Sequence, residues 1–134
     1  MKTGKINIGT GFLVLSAFMM YGFVLIYLRD FSPEKEAWIA GSLNGPHFES
    51  KLAHVHGNLF ALLNIVIGYL LMHLSIPPRT ALWISRLALA GLLMPMGILS
   101  EVYFGLPPYL VLLGAVSIIV STTMFGFTML RSRD

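Results

Sequence analysis

Cysteine is missing from this 134-residue chain. Its absence removes disulfides, thiolate metal sites, iron–sulfur clusters and thiol nucleophiles together. Charge is scarce too: 11% of the residues are charged, against roughly a quarter in a soluble domain. Six acidic residues stand against nine Lys and Arg, for a formal net charge of +3. No lysine-rich stripe accompanies that excess, so nucleic acid is not expected as a partner. The strings His-Glu-x-x-His, Gly-x-Ser-x-Gly, Cys-x-x-Cys-His and a Gly-rich phosphate loop are all absent.

Apolar residues fill the space: they make up 56% of the chain, and the mean hydropathy is +0.78. This composition belongs in lipid. Four apolar runs, at about 8–28, 52–75, 81–104 and 109–130, are each long enough to cross a hydrocarbon core of about 30 Å as a helix. The expected fold is therefore an all-α integral membrane protein, a single domain over 1–134 built as a four-transmembrane-helix up-down bundle. Lys2 and Lys5 precede the first run as they would a signal peptide, but the run is too long for a signal core. No small-x-small cleavage site follows it, so it reads as a retained helix.

Five cations (Lys2, Lys5, Arg79, Arg131, Arg133) fall on one side of these spans and three (Arg29, Lys35, Lys51) on the other. That bias predicts a plasma (inner) membrane protein with both termini cytoplasmic. In the long outer loop, 29–50, Ser32-Pro33-Glu34 reads as a helix start and Gly41 as its stop, giving a surface lid anchored by Trp38. Four short helices make a thin core. The expected partners are the lipid bilayer and either further copies of the chain or a larger membrane complex.

Polar groups inside the spans carry the functional reading, because they are expensive in lipid and usually face a protein interior. The second span opens Ala53-His54-Val55-His56-Gly57-Asn58. At about 100° per residue, His54, Gly57, Ala61, Asn64 and Gly68 share one face, with Asn58 beside His54. Small residues there admit either another helix or a flat ligand. His56 points roughly 160° away, so the two histidines cannot both ligate one ion from a regular helix. One of them is the ligand candidate, and the other packs or sits at the rim. In the third span Ala90, Met94, Gly97 and Glu101 fall in one sector, and Pro95 should kink the helix. Antiparallel packing would bring Glu101 to the depth of His54, with Tyr103 and Asn58 close by. Such a set suits a metal or haem iron, or proton transfer. The plainer alternatives are a hydrogen-bonded structural His54, a snorkelling Glu101, a solvent-exposed His47, an interfacial His73, and glycines that serve helix packing alone.

The segment Ala53-His54-Val55-His56-Gly57-Asn58-Leu59 resembles the Ala-His opening of helix 2 in small four-helix membrane proteins, some of them described as distant relatives of haem–copper oxidase subunit I. Leu93-Met94-Pro95-Met96-Gly97, the following Gly-x-Pro-Pro turn and Val111-Leu112-Leu113-Gly114-Ala115 resemble their helix 3 to helix 4 segment. In size, helix count and Ala-His placement the chain is similar to the styrene oxide isomerase family. The resemblance implies haem b held between subunits of a trimer, with ferric iron as the Lewis acid that opens an epoxide to a carbonyl compound. Carried over, His54 would be the axial metal ligand, and Asn64 and Tyr103 would hold a substrate oxygen. The residue pattern itself adds Glu101 as a third catalytic candidate, His56, Asn58, Gly57, Ala61 and Gly68 around the cofactor, and Arg29, Lys35 and Lys51 for its propionates. The spacing after Ala-His departs from the family, and a second histidine intervenes. The alternative expectation is a non-enzymatic subunit of a respiratory or other membrane complex. A metal or proton transporter is disfavoured by the few acids.

Overall fold

The computed structural model describes residues 2–131 and contains six helices: α1 (Lys2–Asp30), α2 (Lys35–Ala40), α3 (Gly45–His73), α4 (Pro78–Gly91), α5 (Leu93–Phe104) and α6 (Tyr109–Arg131). Four stretches, Thr3–Asp30, Gly45–His73, Pro78–Phe104 and Tyr109–Arg131, are long and apolar enough to cross a membrane. The protein is thus an all-α four-helix membrane bundle, and no strand occurs among the described residues.

Two features of the spans depart most from expectation. Helix α3 starts at Gly45 and not near 52, because Gly45 takes the left-handed backbone (φ 67°) and Pro46 then sets the first helical turn. The outer loop is correspondingly shorter. Within it α2 is held at its start by Ser32 Oγ, which accepts from the Glu34 amide at 3.2 Å, and Gly41 follows its last turn. The third span is two helices. Pro95 has no N–H to give the carbonyl of Gly91, and its ring crowds that carbonyl. The chain responds by breaking at Leu92, whose amide bonds back to Leu89 at 3.1 Å.

The spans pack in sequence order: α1 on α3, α3 on α4 and α5, and both of these on α6. Close approach is made by glycine. A Cβ on Gly68 would stand 2.5 Å from the Gly4 carbonyl oxygen, and one on Gly57 would stand 2.4 Å from the Phe18 ring. On the other side, a Cβ on Gly114 would lie 2.2 Å from the Met94 amide nitrogen. Backbones this near gain dispersion contacts in a setting where burial from water contributes nothing. Phe60, Ile67 and Leu71 of α3 meet Ile84 and Ala88 of α4 and Ile118 of α6 in the apolar core.

One buried polar cluster ties three of these helices. Asn7 Nδ2 donates to Asn64 Oδ1 (2.9 Å) and to the Ser85 carbonyl (3.1 Å), and Ser85 Oγ donates to Asn7 Oδ1. Asn64 Nδ2 donates to the carbonyls of Phe60 and Ala88, both at 2.9 Å. Both amides are fully buried and every donor has an acceptor. Ser121 Oγ bonds the Ile84 carbonyl at 2.7 Å and brings α6 into the same arrangement.

Candidate functional site

The far end of the bundle is built differently. Three buried polar atoms have no partner among the described residues, Trp38 Nε1, Ser50 Oγ and Asn58 Oδ1, and all belong to residues 38–58. Since buried polar groups are normally satisfied, this end is where a ligand or water has hydrogen bonds to make. A groove of about 740 Å³ opens there between α1 and α3. Leu15, Met19, Phe23, Leu25 and Ile26 of α1 form its apolar wall, repeating at helical spacing, while His54 and Asn58 face it from α3. Arg29, His47 and Lys51 also line it, and no carboxylate does. The groove therefore offers an apolar bed with cations at one end.

His54 is half-buried, and among the described residues neither of its ring nitrogens has a hydrogen-bond partner. The other three histidines each use Nδ1 on a backbone carbonyl: His47 on Trp38 (2.5 Å), His56 on Leu52 (2.8 Å) and His73 on Tyr69 (2.8 Å). A Cβ placed on Gly22 would come within 3.0 Å of His54 Nε2, so the missing side chain at Gly22 leaves the ring its space. Tyr21, with its ring centroid 6.4 Å from that of His54, shares a 2.9 Å hydroxyl bond with Tyr103. His47 stacks on Trp38 at 4.5 Å under the α2 lid, partly buried and not free in solvent.

The expected site residues separate into two groups. The groove brings together His54, Asn58, Arg29 and Lys51, and Tyr103 reaches its neighbourhood through Tyr21. The others lie elsewhere. His56 is turned off the groove, edge-on to Phe60, as two residues of helical rotation require. Gly57, Ala61 and Gly68 are buried under α1, filled by Phe18, Gly11 and Gly4; the face of small residues receives a helix, so it is no slot for a flat ligand. Asn64 sits about 15 Å further along α3 at 1.5 Å per residue, inside the saturated cluster with Asn7. Glu101 does not line the groove. A wheel drawn through 81–104 as one helix loses its phase at the Leu92 break, and the Met94–Gly97 stripe that leads to Glu101 faces Gly114 and Val111 of α6. Lys35 is exposed on α2 and lines none of the groove.

Tyr21, Gly22 and Ser50 escaped the sequence reading. Tyr21 and Asn7 are the strongest polar groups in the apolar stretch of α1, and that was the available signal. Among the described residues no three His, Asp or Glu side chains gather as ligands for a bare metal ion. Comparison with protein-family models, with characterised proteins and with solved structures finds no match to this chain.

Proposed function

We propose that this protein is an integral membrane haem b-binding protein whose cofactor lies in the α1–α3 groove. The observation that carries the reading is His54: it is the one histidine whose ring nitrogens both lack a partner among the described residues, and it borders an apolar groove lined by cations and by no acid. A lone imidazole is a poor site for a free ion, but it is enough for iron whose other donors come from a porphyrin. The residues present fit such a group. His54 Nε2 points at the bare backbone of Gly22, so the ring would turn into the groove to meet the iron, and the missing side chain at Gly22 leaves it room to do so; one turn along α3, Asn58 Oδ1 is buried and unpartnered. Arg29 and Lys51 would hold the propionates; Arg29 also pairs with Asp30 at 2.8 Å, and Lys51 with the Ser42 carbonyl at 2.9 Å.

In an isomerase-like reaction, as the resemblance implies, the bound ferric haem would supply Lewis acidity toward a small hydrophobic substrate. The chain's own contribution would then be a proton held at the Tyr21 and Tyr103 hydroxyls, and water kept out by the wall from Leu15 to Ile26. Placement in an inner membrane with both termini cytoplasmic, and assembly of several copies, are parts of the same proposal.

Protein expressed with a haem precursor and purified in detergent should show a Soret band. His54→Ala should abolish the band while leaving helicity intact, and His56→Ala should keep it. Absence of the band in the parent protein, or its survival in His54→Ala, would remove the proposal. Gly22→Leu should fill the space over His54 and lower haem affinity on the order of tenfold, given about 1–3 kcal/mol for overpacking a tight site. Titration of the apoprotein with haemin measures this, and an unchanged affinity would place the cofactor elsewhere.

A further inference from the structure

At the opposite end of the bundle, where α1 and α4 begin and α3 and α6 end, the described residues include no carboxylate. All five described acids, Asp30, Glu34, Glu36, Glu49 and Glu101, lie at the end that carries the groove. This end carries Lys5, Arg79, Arg86 and Arg131. Lys5, Arg79 and Arg86 have no ion pair or hydrogen bond among the described residues. Arg79, Trp83 and Arg86 recur at helical spacing on the outward face of α4, opposite the buried Ala81, Ser85 and Ala88, and all three are exposed. Trp83 is 56% exposed although it stands in an apolar span, a placement that suits an indole at the membrane interface.

Arg86 is the informative member. It lies about 12 Å along the helix from Pro78, at 1.5 Å per residue, so its guanidinium starts well inside the apolar span with no partner among the described residues. Its stem can snorkel toward the headgroups, but the charge still requires a counter-ion there. Nearer the start of α4, beside Arg79, a cavity of about 350 Å³ is lined by Thr80 of α4 and by Thr123, Phe127, Thr128 and Arg131 of α6, with the Arg131 guanidinium 5.9 Å above the Phe127 ring. Guanidinium groups match phosphate oxygens in pairs, hydroxyls donate to them, and the apolar flanks Leu82 and Phe127 offer a bed for acyl chains.

We infer that this end of α4 is a binding site for an anionic phospholipid, whose phosphate is held between Arg79 and Arg86 with Trp83 packed along its glycerol and upper chain. Charge complementarity fixes the class of ligand: a cationic surface at a membrane boundary, with no acid among its described residues, selects anionic headgroups.

The test uses the full-length protein in nanodiscs and native mass spectrometry of retained lipid, with phosphatidylcholine, phosphatidylglycerol and cardiolipin as the probes. The anionic lipids should be retained preferentially and should raise the unfolding midpoint. Each of Arg79→Gln and Arg86→Gln should lower that preference about fivefold, while Lys35→Gln at the other end leaves it unchanged. Unfolding in phosphatidylcholine, which carries no net charge, should be the same for all variants, showing that the folds are equal. Equal retention of the three lipids by the parent protein, or unchanged selectivity in the double variant, would overturn the inference. So would equal stabilisation by inorganic phosphate without lipid, or loss of a co-purifying acidic subunit from the variants with lipid retention intact.

Discussion

Asn64→Leu is expected to lower stability by about 2–4 kcal/mol, read as the unfolding midpoint in detergent or by steric trapping in bicelles. The substitution strips Asn7 Nδ2 of one acceptor and leaves the Ala88 carbonyl without its donor, both in a fully buried site. A buried group left unpaired costs about 1–3 kcal/mol. Measured interhelical hydrogen bonds in membranes average nearer 0.6 kcal/mol, because the unfolded helices also find partners in lipid. The larger value is expected here because one side chain serves α1 and α4 at once, so its loss strands groups on two helices. Asn7→Leu should be comparably harmful, and the double variant should lose less than the sum of the singles. A coupling of about 0.5–3 kcal/mol would be diagnostic of a shared network. Additive and small effects would mean that the cluster is filler.

A second large effect is expected at Gly114. Its Cβ would stand 2.2 Å from the Met94 amide nitrogen and 2.8 Å from the Met94 Cα, so the obstacle is backbone and cannot rotate away. Gly114→Val should therefore push α6 off the start of α5 at about 3 kcal/mol, the upper part of the usual range for overpacking. The informative comparison is Gly9→Ala on α1, where a Cβ meets nothing within 4 Å. There the change should be neutral or stabilising by about 0.5–1 kcal/mol, since alanine is the better helix former. Thermal unfolding of the two variants side by side checks both. If Gly114→Val were as harmless as Gly9→Ala, the close α5–α6 approach would be wrong.

These two positions also show how unevenly the sequence reveals the molecule. The four apolar spans were legible because lipid demands about 20 apolar residues per crossing, whatever the neighbours. The break in the third span was half legible: Pro95 announced a disturbance, and the displaced carbonyl of Gly91 then set the break at Leu92. The face of small residues on α3 was legible as a place of close approach. That α1 fills it, through Phe18 against Gly57 and Gly4 against Gly68, required the packing. Glu101 was paired with His54 by depth alone, and depth says nothing about which neighbour a helix turns toward.

The sequence by itself determined the class of this protein and its boundaries with water, because hydropathy, span length and turn residues act locally and each can be read one segment at a time. It also singled out His54 as a polar group placed against its surroundings. Only the tertiary structure decided which polar residues are saturated and which are left open. A wheel gives an azimuth on one helix, whereas a hydrogen bond such as Asn7 to Asn64, or a groove between α1 and α3, depends on how two helices are rotated and shifted against each other. That relative placement is set by glycine contacts spread over 110 residues, from Gly4 to Gly114, and no local pattern contains it.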